Sequence, residues 1–337
     1  MLQSKYIKIS AAFLLIGALG CTKLKEQYTA SVPKDQAVSS LGPGFPGLLL
    51  TAAYNDIPAP FVNQDQVFSL EENSTDESLV PTRGGDWDDN GVWRVIHNHT
   101  WNADHGQVLS VFNGLSKMNF DATNVLQFDP TKEQAAEARF LRVFALYHIL
   151  DLYGQYPFRN PGDNLLLPPK VYTGDSAVTF LIDELNAILP DLDPANPMTK
   201  ANPDAAKMML MRLYLNRGAF KNRANPTFDD ADMQQVITLG NSIISSHKYS
   251  YMSNYFGNFS ASNGNSTEGI FAYPATSGVA ANNPGVNARW MMGAHYNEFT
   301  AQAPNAGWNG FSTMGDFYKS FGVPTATDYS LKDTQLE

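Results

Sequence analysis

The segment TRGGDWDDNGVWR, residues 82–94, combines the side chains with the clearest binding chemistry in the sequence. It places two tryptophans, three aspartates and three glycines within 13 residues. Glycine and aspartate favour turns over helices and continuous strands, so we predict an irregular loop. Such a loop either folds back to bury its tryptophan rings or displays one of them to a ligand. The sequence leaves both interpretations open.

Two later segments, NARWMMGAHYNEF at 287–299 and NAGWNGF at 305–311, repeat this composition. A sugar presents apolar C–H faces surrounded by hydroxyl groups, and an exposed aromatic ring flanked by polar side chains is the matching surface. We therefore expect that at least one of the rings of Trp87, Trp290 and Trp308 is displayed. The predicted ligand-binding residues are Arg83, Asp86, Trp87, Asn90, Arg289, Trp290, Tyr296, Trp308 and Asn309.

The sequence has no G-x-S-x-G elbow and no P-loop. The acidic segment SLEENSTDES at 69–78 offers Glu72 and Asp76 as the carboxylates of a glycoside hydrolase. That chemistry requires a fixed separation between the two carboxylates, which the sequence does not give. We predict no catalytic residue and a protein that is not an enzyme, with a glycoside hydrolase as the alternative.

Three histidines lie close together in HNHTWNADH, residues 97–105. On a strand, His97 and His99 would share one face, a spacing that a metal ion can use. No H-E-x-x-H motif and no nearby cysteine supports such a site, so we predict no metal centre and no cofactor. The sequence does not decide whether calcium orders the loop at Asp86–Asp89.

The first residues are typical of an export signal. Lys5 and Lys8 precede an apolar run at 9–19, which is too short to span a bilayer and ends in ALGC. The only cysteine of the chain, Cys21, follows small residues, so we predict a lipoprotein signal at 1–20 and acylation of Cys21. Ala18 stands where such signals usually have leucine, and an ordinary secretory signal is the alternative. Residues 21–36 would then form a lipidated tether.

The rest of the chain, residues 37–337, is predicted to be mostly α-helical. Of the 337 residues 43% are hydrophobic, enough for a sizeable core, and the net charge of −10 argues against nucleic-acid binding. Antiparallel helix pairs with long connections suggest a tetratricopeptide-like helical scaffold with long ligand-facing loops, although the helix starts keep no 34-residue period. The apolar periodicity predicts helices at 38–57, 103–125, 131–154, 176–189, 203–217 and 231–247, and a weaker one at 311–321.

End signals support four of these helices. The helix at 131–154 has Thr131 as its cap and Gly154 at its end, and its two apolar faces predict a central position. Asn202 and Pro203 open the helix at 203–217, which Gly218 is expected to end. Asp175 and Asp229 or Asp230 are the expected caps of the other two.

The sequence resembles the SusD/RagB family of outer-membrane lipoproteins. The resemblance runs in the family's order across nearly the whole chain, beginning with the lipoprotein signal that ends at Cys21. It is carried further by TAAYNDI at 51–57, SLEENSTDESLVPTRGGDWDDNGVWRVIHNHTW at 69–101, AEARFLRVFALYHILDLYGQYPF at 136–158, IDELNAILPDL at 182–192, AAKMMLMRLYLNRGAF at 205–220 and GWNGFSTMGDFYKSF at 307–321.

This resemblance implies a SusD-like helical fold, a lipid anchor in the outer leaflet of the cell outer membrane, and a position facing the exterior. It implies a non-catalytic protein that captures a glycan and delivers it to a SusC-like TonB-dependent transporter. Some family members are proposed to take up peptides, so a peptide ligand is the alternative within the family. Family members usually run further than this chain, so we expect the helical domain to be incomplete at its C-terminus.

Overall fold

The computed structural model describes residues 42, 44–63, 65–260, 262–274, 291–296 and 307–322. The chain divides into a unit of residues 1–45 and a unit of residues 46–337. The helical scaffold belongs to the second unit. In the described residues, no helix is both long enough and apolar enough to cross a membrane.

The described elements are mainly helices, as the sequence predicts. The α-helices are α1 (Phe45–Asn55), α2 (Val67–Glu72), α3 (Val92–His97), α4 (Gly106–Val125), α5 (Lys132–Tyr153), α6 (Gly174–Ile188), α7 (Pro203–Lys221), α8 (Asp230–Ile244) and α9 (Gly315–Ser320). The strands are β1 (Ser78–Leu79), β2 (Gln155–Phe158), β3 (Lys170–Thr173) and β4 (Ser312–Thr313). They form two antiparallel pairs, β1 with β4 and β2 with β3.

Helix α5 lies at the centre of the scaffold, as its two apolar faces predict. Thr131 forms a capping box with Gln134 at the start of the helix, and Gly154 ends it in the left-handed conformation at φ 76°. Leu141 and Ile149 are fully buried. Helices α4 and α6 both pack against α5, while Phe144 and His148 on its second face are half-buried beside an open cleft.

Successive helices pack as pairs: α4 with α5, α6 with α7, and α7 with α8. Asn202 caps α7 with Pro203 at its first position, and Asp229 caps α8, both as predicted. The cap of α6 differs, because the helix begins at Gly174 and Asp175 lies inside its first turn. There Asp175 forms an ion pair with Arg217 of α7, at 3.3 Å.

Helix α7 also runs past Gly218, which we expected to end it. The glycine serves another purpose, since a Cβ atom there would lie 1.6 Å from the carbonyl oxygen of Thr227. Gly218 therefore lets the following chain return directly against the helix.

Three other boundaries differ from the prediction. The first helix begins at Phe45 rather than near residue 38, and the stretch at 58–102, for which no helix is predicted, holds α2 and α3. His97 thus ends a helix and does not lie on a strand. In the stretch at 311–321, β4 comes before the short helix α9.

Candidate functional site

The loop at 82–94 meets the chain at 307–313, which is far away in sequence. The meeting is fixed by β1 and β4, with Ser78 opposite Thr313 and Leu79 opposite Ser312. The amide of Met314 extends the pairing by donating to the carbonyl of Glu77 at 2.9 Å. Two of the three tryptophan-bearing segments are therefore brought to one place.

Arg83 fastens the two segments together. Its guanidinium donates to the carbonyls of Asn309 and Gly310, and to the hydroxyl of Ser312 at 2.8 Å. The backbones of Arg83 and Asp86 exchange two hydrogen bonds of 3.1 Å, which closes the tip of the loop. The guanidinium of Arg83 therefore positions the chain at 309–312.

Trp87 lies at the junction, half-buried and in the left-handed conformation at φ 55°. Its indole Nε1 donates to the carbonyl of Trp308 at 2.8 Å. Its ring centroid is 6.2 Å from that of Trp93 and 6.0 Å from that of Phe311. The centroids of Trp93 and Phe311 are 5.5 Å apart. The loop thus buries Trp93, which is 4% exposed, and leaves part of Trp87 open to solvent.

Gly310 makes room for the Trp87 ring. A Cβ atom at this position would lie 2.3 Å from the Cζ2 atom of Trp87. The benzo edge of the indole therefore rests directly on the backbone of the neighbouring segment. Any larger residue at 310 would displace the ring.

The segment at 291–296 supports the same junction from another side. The amide of Trp308 donates to the carbonyl of Met291 at 2.7 Å, and that of Asn309 donates to Ala294 at 2.8 Å. Trp308 is half-buried, and Tyr296 exposes 48% of its surface beside the ring of His295. The exposed ring of Tyr296 thus lies two residues after Ala294, whose carbonyl accepts the hydrogen bond from Asn309.

The acidic side chains of the loop have different roles. Asp88 pairs with Arg94 at 2.9 Å, and Asp89 accepts from the indole of Trp93 at 2.8 Å. Asp86 and Asn90 are exposed, and Asn90 has a positive φ of 55°. Among the described residues, no group of three or more histidine, cysteine or acidic side chains could hold a metal ion.

The predicted histidines have structural contacts. His105 caps α4, and its Nε2 lies 3.2 Å from the carbonyl of Val92. Nε2 of His99 lies 2.6 Å from the carbonyl of Ser74.

An open cleft of about 640 Å³ adjoins the junction, with Phe311, Ser312 and Thr313 on one wall. Phe68 and Phe317 add apolar surface, and Glu72 and Glu77 add carboxylates. Burial raises the pKa of Glu72, and the nearby charge of Glu77 raises it further.

The chain is similar in sequence to two curated proteins. No model of a known protein family matches the chain. The starch-binding protein SusD of Bacteroides thetaiotaomicron is 30% identical over 166 residues, which are 47% of this chain and 29% of SusD. A SusD-like protein of Bacteroides ovatus is 23% identical over 65% of this chain and 36% of its own length.

Solved structures show the same fold. A laminarin-binding SusD-like protein matches 83% of this chain and 64% of its own, with a TM-score of 0.68 and 17% identity. Surface glycan-binding protein A of B. thetaiotaomicron, in complex with laminarihexaose, matches 82% and 60% with a TM-score of 0.64 and 16% identity. The chain is similar to SusD-like proteins. The tetratricopeptide-like helical fold that the sequence predicts is thereby confirmed.

The chain spans about a third of the length of the curated relatives it matches and about three fifths of the solved structures. Cys21, Arg289 and Trp290 lie outside the described residues, so their predicted roles stay predictions. The other predicted ligand-binding residues all lie in the loop at 82–94 or in the two segments packed around its junction.

The junction also includes residues that the sequence did not predict. Trp93, Phe311 and Gly310 hold the Trp87 ring, and Asp89 orients Trp93. All four residues lie inside the segments 82–94 and 305–311, whose composition could have pointed to them. Nothing in the sequence pattern points to Phe68 or Phe317.

Proposed function

We propose that this SusD-like chain is a non-catalytic, cell-surface glycan-binding lipoprotein. In this proposal it captures an oligosaccharide or polysaccharide and delivers it to a SusC-like TonB-dependent transporter of the outer membrane. The relatives support the glycan part, since one is a starch-binding protein and another was solved with laminarihexaose. The ending ALGC at 18–21 supports a lipid anchor on Cys21.

The observation that carries the proposal is the meeting of the two tryptophan-bearing segments. Hydrogen bonds of Arg83 and Trp87 reach across 226 and 221 residues of sequence to fix them. A partly open indole is thereby held rigid next to the exposed polar groups of Asp86 and Asn90. A ring held in place before binding loses little conformational freedom when a sugar stacks on it.

The exposed side chains at the junction match the needs of a sugar. Carbohydrate hydroxyls require both donors and acceptors, which the carboxamide of Asn90 and the carboxylate of Asp86 supply. Tyr296 adds a second ring with a hydroxyl at its tip. These groups have the chemistry of capture and orientation, and the proposal assigns them no bond-breaking step.

We expect Trp87→Ala to weaken glycan binding by about 1–3 kcal/mol, the range for loss of one stacked ring on an aromatic platform. Affinity electrophoresis through gels containing plant, host and microbial polysaccharides measures this loss. Trp101→Ala is the matched control, because Trp101 is 42% exposed and lies outside the junction.

The Trp87 ring also supports the fold, so its removal should lower the free energy of unfolding by about 1–3 kcal/mol. Tyr296→Ala avoids this complication, because the Tyr296 ring is exposed and contacts only His295 among the aromatic rings described. Both variants should migrate faster than the wild type in the glycan that retards it. If no polysaccharide retards a folded wild type, or if both variants are retarded as strongly as Trp101→Ala, the proposed site is wrong.

A further inference from the structure

We propose that a second cleft, beside α4, binds a short neutral saccharide independently of the Trp87 junction. The cleft encloses about 720 Å³, between the exposed face of α4 and the connection from β2 to β3. Small-molecule sites commonly enclose about 300–1,000 Å³. None of the residues lining this cleft belongs to the loop at 82–94 or to the segment at 307–313.

Helix α4 has two faces of different character. Val111, Leu115 and Met118 are fully buried against the scaffold. The opposite face carries side chains spaced three and four residues apart, which therefore lie in one row along the cleft. The members of this row are Asn113, Ser116, Phe120 and Asn124.

Phe120 is the unusual member of this row. Its side chain is 44% exposed, and it has no aromatic partner in the part of the chain that the structure describes. One turn away lies the carboxamide of Asn124, and two turns away on the other side lies the exposed carboxamide of Asn113. An open apolar ring with neutral hydrogen-bonding groups beside it matches the apolar face and hydroxyl rim of a pyranose.

The basic groups around the cleft already have partners, and the carboxylate of Asp163 accepts a hydrogen bond from the backbone amide of Asn160 at 2.7 Å. Lys117 pairs with Asp56 and with Asp121, the latter at 2.6 Å. The guanidinium of Arg159 donates to the carbonyls of Asn164, Leu165 and Leu167.

Arg159 therefore holds the far wall of the cleft in shape through its Nη1 and Nη2 donors. The row on α4 is neutral and Asp163 adds an exposed carboxylate to the lining, which together favour an uncharged saccharide over a sugar acid or an acidic peptide.

Two side-chain oxygens in the α4 wall support a polar ligand. Oγ of Ser116 and Oδ1 of Asn119 are buried without a hydrogen-bond partner among the described residues. Buried polar atoms in native proteins usually have a partner. A bound hydroxylated molecule that reorders this wall would supply one.

Saturation-transfer difference NMR on the purified chain tests the proposal, with maltose, cellobiose, laminaribiose, xylobiose and mannobiose as probes. The experiment starts from Trp87→Ala, in which the junction is impaired. At least one disaccharide should still give a saturable signal. Adding Phe120→Ala should raise its dissociation constant by about fivefold or more, the lower end expected for loss of a stacked ring. Adding Tyr251→Ala, which removes a 93% exposed ring elsewhere, should change nothing.

Asn113→Ala serves as a second variant in the same background. Its side chain is exposed and its helix gains a better helix former, so folding is not at risk. It should also weaken the signal. The proposal is overturned if no disaccharide binds Trp87→Ala, if Phe120→Ala behaves like Tyr251→Ala, or if an acetylated, amidated dipeptide competes equally well. A signal that depends on Phe120 but is unchanged by Trp87→Ala would instead support this cleft and count against the Trp87 junction.

Discussion

His148 is a basic side chain placed among aromatic rings on α5. Its ring centroid lies 4.9 Å from that of Phe61, 4.7 Å from that of Phe144 and 5.2 Å from that of Tyr147. Burial, together with the nearby charge of Arg212, lowers the pKa of His148 from the usual 6.5 to about 4. The folded protein therefore keeps this histidine neutral at a pH where the unfolded chain protonates it.

The consequence for stability has a definite sign. Between pH 6.5 and pH 4 the unfolded state binds more protons at His148 than the folded state, so stability falls as the pH falls. We expect this histidine alone to remove on the order of 2 kcal/mol over that interval.

His148→Phe should remove this contribution. The free energy of unfolding should therefore fall less on acidification for the variant than for the wild type. Urea unfolding at several pH values measures it. Parallel curves for the two proteins would show that His148 is not neutralised by the fold.

Single residues at the junction were only partly predictable. The loop at 82–94 stands out by composition, but burial of Trp93 and partial exposure of Trp87 depend on Phe311 and Gly310, which arrive from a distant segment. Arg83 similarly fits a ligand-binding pattern, yet its donors reach backbone carbonyls. Its predicted contact with a ligand stays a prediction.

At the scale of elements, α5 should dominate the stability of the scaffold. Leu141 is fully buried on this helix, and α4 and α6 pack against its two sides. We expect Leu141→Ala to lower the free energy of unfolding by about 2–5 kcal/mol, since a buried leucine leaves a cavity.

Leu215→Ala is the matched control, because Leu215 is 47% exposed on α7 and should cost less than about 1 kcal/mol. Chemical unfolding followed by circular dichroism measures both. Equal losses would mean that α5 is not central.

Gly218 gives a second test at this scale. Gly218→Ala would place a methyl group 1.6 Å from the carbonyl of Thr227, so the backbone of the following chain would have to move. We expect a loss of about 1–3 kcal/mol, as for other overpacked positions. In a thermal melt Gly106→Ala should be neutral or slightly stabilising, because nothing lies within 4 Å of its new methyl group. A neutral Gly218→Ala would refute the close approach.

Helix ends were the most predictable features of the elements. Thr131, Gly154, Asn202 and Asp229 act at helix ends as their residue types indicate, since capping is a local interaction. The failures at Asp175 and Gly218 have one cause. Both residues serve contacts with another part of the chain, Asp175 with Arg217 and Gly218 with Thr227, which local patterns do not reveal.

At the scale of the whole molecule, the scaffold was predictable and the pairing of its loops was not. Apolar periodicity gives each of the long helices separately, and neighbouring long helices in sequence pack together. The pairing of β1 with β4 involves only two residues from each strand, too few to leave a recognisable pattern. The cleft beside α4 was missed for a related reason, because its second wall comes from the connection between β2 and β3.

The long-range pairing at the junction also predicts the order in which parts of the chain fold. Contacts between α4 and α5 close short stretches of chain, whereas the bond from Arg83 to Asn309 closes 226 residues and carries a larger entropic cost. In stopped-flow refolding, the far-ultraviolet circular dichroism of the helices should therefore recover before the near-ultraviolet signal of the Trp87–Trp93 pair. Arg83→Ala should slow the second phase alone. A chain caught between the two phases would be helical but unable to stack a sugar on Trp87, and simultaneous recovery of both signals would show that the junction forms together with the scaffold.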